Sequence, residues 1–209
     1  MNTDQDYLLV VEDIPDILSL LDATLRFKGY RVVTARNGEE ALEAIQRERP
    51  ALIITDILMP RMDGFSLVHR LRINPDTRNI PVVFLSATYV APEDKAFALT
   101  IGVTRFIEKP VKFDEFLQEI ERLLTEEART TPQPIKEYDF YEGYRRRLET
   151  KLDQKMSQIA RDERLMKTLS EEEKSSFQAS LSTAISERDE IQHLLDEVRS
   201  HLQKYSKPD

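Results

Sequence analysis

Within the first 124 of 209 residues a short apolar run stops at a polar residue five times, and each time a helical repeat of apolar positions follows. Tyr7 to Val11 stops at Glu12 and Asp13, after which Ile14, Ile17, Leu18, Leu21 and Leu25 recur at helical spacing. Arg31 to Thr34 is a weaker run, and Asn37-Gly38-Glu39-Glu40 opens a helix carrying Ala41, Leu42 and Ile45. Leu52-Ile53-Ile54-Thr55 delivers Asp56 to a turn punctuated by Pro60 and Gly64; Pro81 to Leu85 ends at Ser86-Ala87-Thr88, and Thr104 to Ile107 ends at Glu108-Lys109-Pro110. Apolar runs without alternation suit strands covered on both faces. Their alternation with helices predicts an α/β fold, a five-stranded doubly wound parallel sheet with right-handed crossovers. Such a sheet gathers the carboxyl ends of its strands along one rim, where ligands bind. Glu12, Asp13, Asp56, Ser86 and Lys109 are thereby expected at one crevice.

Three carboxylates in one crevice repel unless a cation neutralises them, and oxygen ligands with no His or Cys nearby favour Mg²⁺. A metal held by Asp13 and Asp56 would leave one Asp56 oxygen free for in-line attack on a phosphorus. Lys109 could offset the phosphoryl charge, and Ser86 could donate its hydroxyl to a phosphoryl oxygen once its loop moves inward.

Residues 7 to 124 resemble the receiver domain of two-component response regulators. The resemblance rests on Val10-Val11-Glu12-Asp13, on Asp56 followed by Met59-Pro60 and Asp63-Gly64, on Leu85-Ser86-Ala87, and on Lys109-Pro110. It implies a flavodoxin-like receiver with Asp56 as phosphoacceptor and Mg²⁺ bound by Asp13, Asp56 and the backbone carbonyl of Leu58, with Glu12 acting through metal-bound water. It further implies Ser86 and Phe106 as a switch pair, Lys109 as phosphoryl partner with a cis bond to Pro110, and a sensor histidine kinase or phosphotransfer protein as phosphodonor. The side chains of Leu58 and Thr88 would overhang the acyl phosphate and tune its lifetime. Enzymatic activity is expected only as Mg²⁺-dependent self-phosphorylation and autodephosphorylation.

Composition bounds the surroundings. A net charge of -8 disfavours a nucleic-acid partner, which is itself a polyanion. Without cysteine there is neither a disulfide framework nor a thiolate metal site. No apolar run approaches the ~18 residues of a membrane span, and the polar, acidic first residues do not read as a signal peptide. A soluble, cytoplasmic protein is expected.

Thr130-Thr131-Pro132-Gln133-Pro134 interrupts the pattern, which sets a receiver at 1–124, a linker at 125–136 and a helical region at 137–209. Ser170-Glu171-Glu172-Glu173 matches a capping box, so one helix should end near Leu169 and a second begin at Glu171. Phe177, Leu181, Ala184, Arg188, Ile191, Leu195, Val198, Leu202 and Tyr205 alternate spacings of four and three, a heptad seam in which Arg188 should reach an acid across the seam. In the first helix Tyr141, Leu148, Leu152, Ile159, Met166 and Leu169 fall in register, with Arg145, Lys155 and Asp162 at intervening seam positions. A helical hairpin or coiled coil follows, serving as an output that forms a homodimer or binds a helical protein partner. Two rivals differ in class. A helical phosphatase or phosphotransfer element would need His193 or Gln192 as its reactive group, and an unrecognised DNA-binding output would have to overcome the acidity.

Overall fold

The computed structural model describes residues 7–87, 89–125, 134–168 and 171–205. The chain divides into two compact units, Met1–Ile135 and Lys136–Asp209. Thr88, the Ser170 capping box and most of the linker expected at 125–136 lie outside the described residues.

The first unit alternates strands and helices: β1 Tyr7–Val11, α1 Pro15–Phe27, β2 Arg31–Ala35, α2 Gly38–Arg47, β3 Leu52–Asp56, α3 Gly64–Ile73, β4 Val82–Ser86, α4 Pro92–Thr100, β5 Arg105–Glu108 and α5 Phe113–Thr125. The five strands form one parallel sheet in the order β2-β1-β3-β4-β5. Alternate residues point to opposite faces. Leu8, Val10, Leu52, Ile54, Val83 and Leu85 meet Leu21 and Leu25 of α1 and Phe116, Ile120 and Leu123 of α5 in one buried cluster. Apart from Ile14, which is 47% exposed at the N-cap of α1, the first helical repeat is at least half-buried.

Local chemistry sets the helix starts. Asn37 accepts from the Glu40 amide at 3.0 Å while the Glu40 carboxylate accepts from the Arg36 amide at 2.9 Å, a reciprocal cap of the kind the Asn-Gly-Glu-Glu run predicts. At α3 Asp63 accepts from the Ser66 amide at 3.0 Å and from its hydroxyl at 2.6 Å. Gly64 follows for a steric reason, since a Cβ there would collide with the backbone carbonyl of Asp56. The start of α3 is thus pressed against the end of β3.

Arg72 was not singled out by the sequence pattern. Only 2% exposed, it donates to the carbonyls of Gly102, Arg78 and Ile80 at 2.8 to 3.1 Å, joining the end of α3 to the segments entering β4 and β5. Burial pulls its guanidinium down to about 10, still charged at neutral pH.

The second unit is two long helices, α6 Glu137–Met166 and α7 Glu171–Gln203. They run antiparallel. The Tyr141 ring stacks on His201 at 4.4 Å, and Lys155 Nζ pairs with Glu187 at 2.6 Å. The seam of α7 is buried at Ala184, Ile191, Leu195 and Val198, and Leu194 joins it. Phe177, Leu181 and Leu202 are half-buried and Tyr205 is 48% exposed. One expectation is corrected. The buried face of α6 is Phe140, Tyr144, Leu148, Lys151 and Ile159, so its N-terminal part is rotated from the Tyr141–Arg145 line. Arg145 pairs with Glu142 and Glu149 on its own helix, at 2.8 and 2.7 Å. Within one chain Arg188 pairs with Asp189 of its own helix, at 2.6 Å.

Replacing Arg72 with Met leaves three carbonyls, those of Gly102 and Ile80 buried, without this donor. Urea unfolding should show the variant destabilised by about 3 kcal/mol.

Candidate functional site

Because β1 and β3 are neighbours, their ends place carboxylates side by side. Glu12, Asp13 and Asp56 each offer an oxygen, and these oxygens lie within 4.8 Å of one another. Lys109, following β5, sends its ammonium back to this cluster, 2.8 Å from Glu12 and 2.5 Å from Asp56. The other Asp56 oxygen accepts from the amide of Ile57 at 2.5 Å. Glu12 is fully buried and Asp13 half-buried. The Lys109–Pro110 bond is cis.

The electrostatics follow from this placement. Burial pushes the Glu12 carboxyl up, with the Asp56 charge adding to it and Lys109 opposing. Burial likewise pushes Asp13 up. Burial pulls Lys109 down, but the Asp56 and Glu12 carboxylates more than offset this and hold it above its ordinary value. An all-oxygen set of three acids, with one ammonium against them, is a donor set that fits a hard divalent cation.

Ser86 ends β4 and is buried; its hydroxyl accepts from the Tyr89 amide at 3.1 Å, and its carbonyl accepts from the Lys109 amide at 2.9 Å. Phe106, paired with Phe84 in the sheet register, is half-buried with its ring 6.4 Å from Phe84, and the Lys95 ammonium lies 5.8 Å from its centre. Leu58 is half-buried on the loop beyond Asp56. The fold therefore brings Glu12, Asp13, Asp56 and Lys109 into one cluster, with Ser86 tied to it through the Lys109 backbone. On α7, His193 is 73% exposed with Glu197 at 4.0 Å, and Gln192 donates to Asp196 at 2.9 Å.

Sequence reasoning passed over Tyr89. It stands in a loop, yet its ring is fully buried against Phe65, whose centre lies 5.4 Å away. The available signal was an aromatic three residues after a strand-ending serine, the spacing at which a hydroxyl accepts a backbone N–H.

A five-stranded sheet in this order with an acidic cluster at its carboxyl edge defines a receiver-type α/β protein. The family model of the response regulator receiver domain matches residues 8–121, more than half of the chain, and the chain belongs to that family. It is therefore a response regulator receiver protein of the two-component type. It is 41% identical over 104 residues to an uncharacterized 14.6 kDa protein of Leptolyngbya boryana, a match covering 50% of this chain and 79% of that one. With the probable transcriptional regulatory protein TcrX of Mycobacterium tuberculosis it shares 32% identity over 124 residues, 59% of this chain and 52% of the other. The chain thus spans about half the length of that relative. Among solved structures, the signal receiver domain of a signal transduction histidine kinase from Syntrophus aciditrophicus is 39% identical with a TM-score of 0.55, covering 60% of this chain and 94% of that one. The receiver domain of a sensor histidine kinase from Pseudomonas aeruginosa PAO1, 29% identical with a TM-score of 0.54 and covering 58% and 98%, carries a magnesium ion coordinated in its active-site cleft. The helical unit beginning at Lys136 lies beyond the matched residues. No described helix is long and apolar enough to cross a membrane.

Lys109→Met, studied with a chelator present, should expose the repulsion among the acids. Below their ordinary values, 4.5 for Glu12 and 3.8 for Asp13, both carboxyls are protonated whether the chain is folded or not. Their raised values mean that the unfolded chain ionises first as pH rises, so stability falls through the window that opens above those ordinary values. Lys109 opposes that fall until the pH passes its own raised value, above 10.5. The variant should be about 2 kcal/mol less stable at neutral pH, with the deficit shrinking toward pH 4.5, measured by denaturant unfolding across pH.

Proposed function

We propose that the receiver accepts a phosphoryl group on Asp56 from a phosphohistidine of a sensor histidine kinase or phosphotransfer protein, and that the helical unit is its protein-interaction output. The observation that carries this reading is the convergence of Glu12, Asp13 and Asp56 within 4.8 Å under the Lys109 ammonium.

Asp13, Asp56 and the Leu58 carbonyl would hold Mg²⁺, with Glu12 reaching it through water. Bound there, Mg²⁺ supplies charge compensation for the acids and polarises the phosphoryl oxygens. An Asp56 oxygen attacks the phosphorus, the P–N bond breaks, and its electron pair leaves with the imidazole nitrogen, which takes up a proton. The product is an acyl phosphate. Lys109 keeps its charge against the developing phosphoryl oxygens, and Ser86 donates its hydroxyl to one of them. Phe106, opposite Phe84 on the strand next to the one that Ser86 ends, is the aromatic that would respond. Neither Leu58 nor Thr88 carries a carboxylate or amide to orient an attacking water, which makes for a long-lived phosphoryl group. Beyond this self-phosphorylation and autodephosphorylation the chain is read as a signalling protein rather than an enzyme, acting in the cytoplasm.

Acetyl phosphate with Mg²⁺ should label Asp56 alone, read by intact-mass and peptide mass spectrometry. Labelling that persists in Asp56→Asn, or that proceeds in chelator, overturns the assignment. Leu58→Asn should shorten the lifetime of the label, and an unchanged or slower hydrolysis would count against the role of Leu58.

For the output, α7 leaves apolar surface toward the turn. The register of Tyr141 with His201 and Lys155 with Glu187 puts Leu165, 45% exposed, level with half-buried Phe177. A second copy of the hairpin would cover that end, whereas Ile191, Leu195 and Val198, farther from the turn, are already buried in a single chain. Sedimentation velocity of the full chain at tens of micromolar should show a dimer, and Leu165→Asp should dissociate it with Asp56 labelling intact. A monomer would shift the reading to a helical partner of another kind.

A further inference from the structure

Tyr89 is an aromatic placed where a loop residue has no need to be buried. It follows β4 by three residues, is 0% exposed, and packs edge-on against Phe65 with ring centres 5.4 Å apart at 80°. Phe65 in turn contacts Phe84 of β4 and Phe97 of α4, each at 5.3 Å. The box therefore joins α3, β4 and α4. Its α3 wall is fixed relative to the phosphoacceptor candidate, because Gly64 beside Phe65 abuts the Asp56 backbone. Burial, with Asp63 and Asp94 contributing, pushes the Tyr89 phenol well up, so it stays neutral.

The backbone of Tyr89 has a second task. Its amide donates to Ser86 Oγ at 3.1 Å in a buried bond. A hydroxyl that accepts from the amide three residues on is directed along its own loop. To donate to a phosphoryl oxygen on Asp56, Ser86 must turn from that direction, which breaks the Tyr89 bond or draws the Tyr89 backbone with it. The buried ring resists both movements, since leaving the box exposes a large aromatic surface.

We propose that Tyr89 is a positioning residue for the phosphoryl site, a ring anchor that holds the Ser86 hydroxyl on its own loop and so sets how readily it engages a phosphoryl group on Asp56. This rests on the reading of Asp56 as phosphoacceptor. Tyr89 touches no reacting atom and acts through Ser86. Weakening the anchor therefore strengthens phosphoryl binding, the opposite of what general loss of structure does.

The test is titration of the full chain with beryllofluoride, a phosphoryl mimic, in excess Mg²⁺. Tyr89→Ala should bind it about fivefold more tightly than wild type, and Tyr89→Phe, which keeps the ring, should restore wild-type affinity. In a Ser86→Ala background the same Tyr89→Ala change should shift the affinity by less than about twofold. If Tyr89→Ala does not fold, Tyr89→Leu is used in its place, with the same tightening expected. Equal or weaker binding in the variant, or an undiminished shift without Ser86, overturns the Tyr89 assignment while leaving Asp56 in place. Failure of wild type itself to bind the mimic overturns the phosphoacceptor reading and, with it, this inference.

Discussion

Like charges crowded at the edge of a parallel sheet are the condition to which the rest of the receiver unit answers. Glu12 is fully buried and its carboxyl group lies among two others, an arrangement costly in a low dielectric unless a cation is held against it. Lys109 supplies that charge from the far side of the sheet. With β3 and β4 between them, β1 and β5 are about 14 Å apart by strand spacing, so the strands themselves do not meet. Their trailing residues do, because the loops turn inward over the carboxyl edge and lysine has a four-carbon stem. Any cation that binds the acids or any anion that joins Asp56 must therefore redistribute the contacts of Lys109. The site is responsive for the same reason that it is strained in charge.

Much of this was legible in the sequence because parallel strands covered on both faces leave an unmistakable trace. Tyr7 to Val11 and Leu52 to Ile54 are apolar without alternation, and each stops where its chain leaves the core. Converging Glu12, Asp56 and Lys109 needed only the strand order and the rule that strand ends share an edge. Arg72 was opaque because its three carbonyl partners come from loops whose approach no local pattern encodes. Tyr89 was opaque because loop aromatics give no periodicity. The α6 face was misphased at its N-terminal end. Its buried positions step back from Leu148 by four residues each time, to Tyr144 and Phe140, along the i, i+4 row of a helix, where the heptad had pointed to Arg145 and Tyr141.

The aromatic packing gives the rim a physical connection to the rest of the receiver. Phe84 lies within the sheet, touching Phe65 on one side and Phe106 on the other, at 5.3 and 6.4 Å. Phe65 reaches Tyr89, and the Tyr89 amide reaches Ser86. Close-packed rings rearrange between discrete arrangements rather than by continuous deformation. A change at Ser86 can thus be felt at Phe106 and at Lys95 above it only if the ring set has a second arrangement of comparable energy.

The energies involved place such a second arrangement within reach. A neutral hydrogen bond such as Tyr89 N–H to Ser86 Oγ contributes about 1 kcal/mol net, whereas one to a charged phosphoryl oxygen contributes about 2 kcal/mol. Exchange of one for the other alone favours the phosphoryl-engaged loop by about 1 kcal/mol, roughly a fivefold population change. That margin is small compared with the cost of exposing a buried aromatic ring, which is about 2 kcal/mol or more. The ring therefore decides the balance. If it stays in the box while the backbone shifts, engagement of Ser86 is favoured; if it must leave, engagement is opposed and the phosphoryl group must recover the difference through Lys109. Since Lys109 already spends its charge on Glu12 and Asp56, the recovery comes from contacts formed only when the phosphoryl oxygens are present. On the reading of Asp56 as phosphoacceptor, one side chain outside the acidic cluster would thereby set how far the loop engages a phosphoryl group.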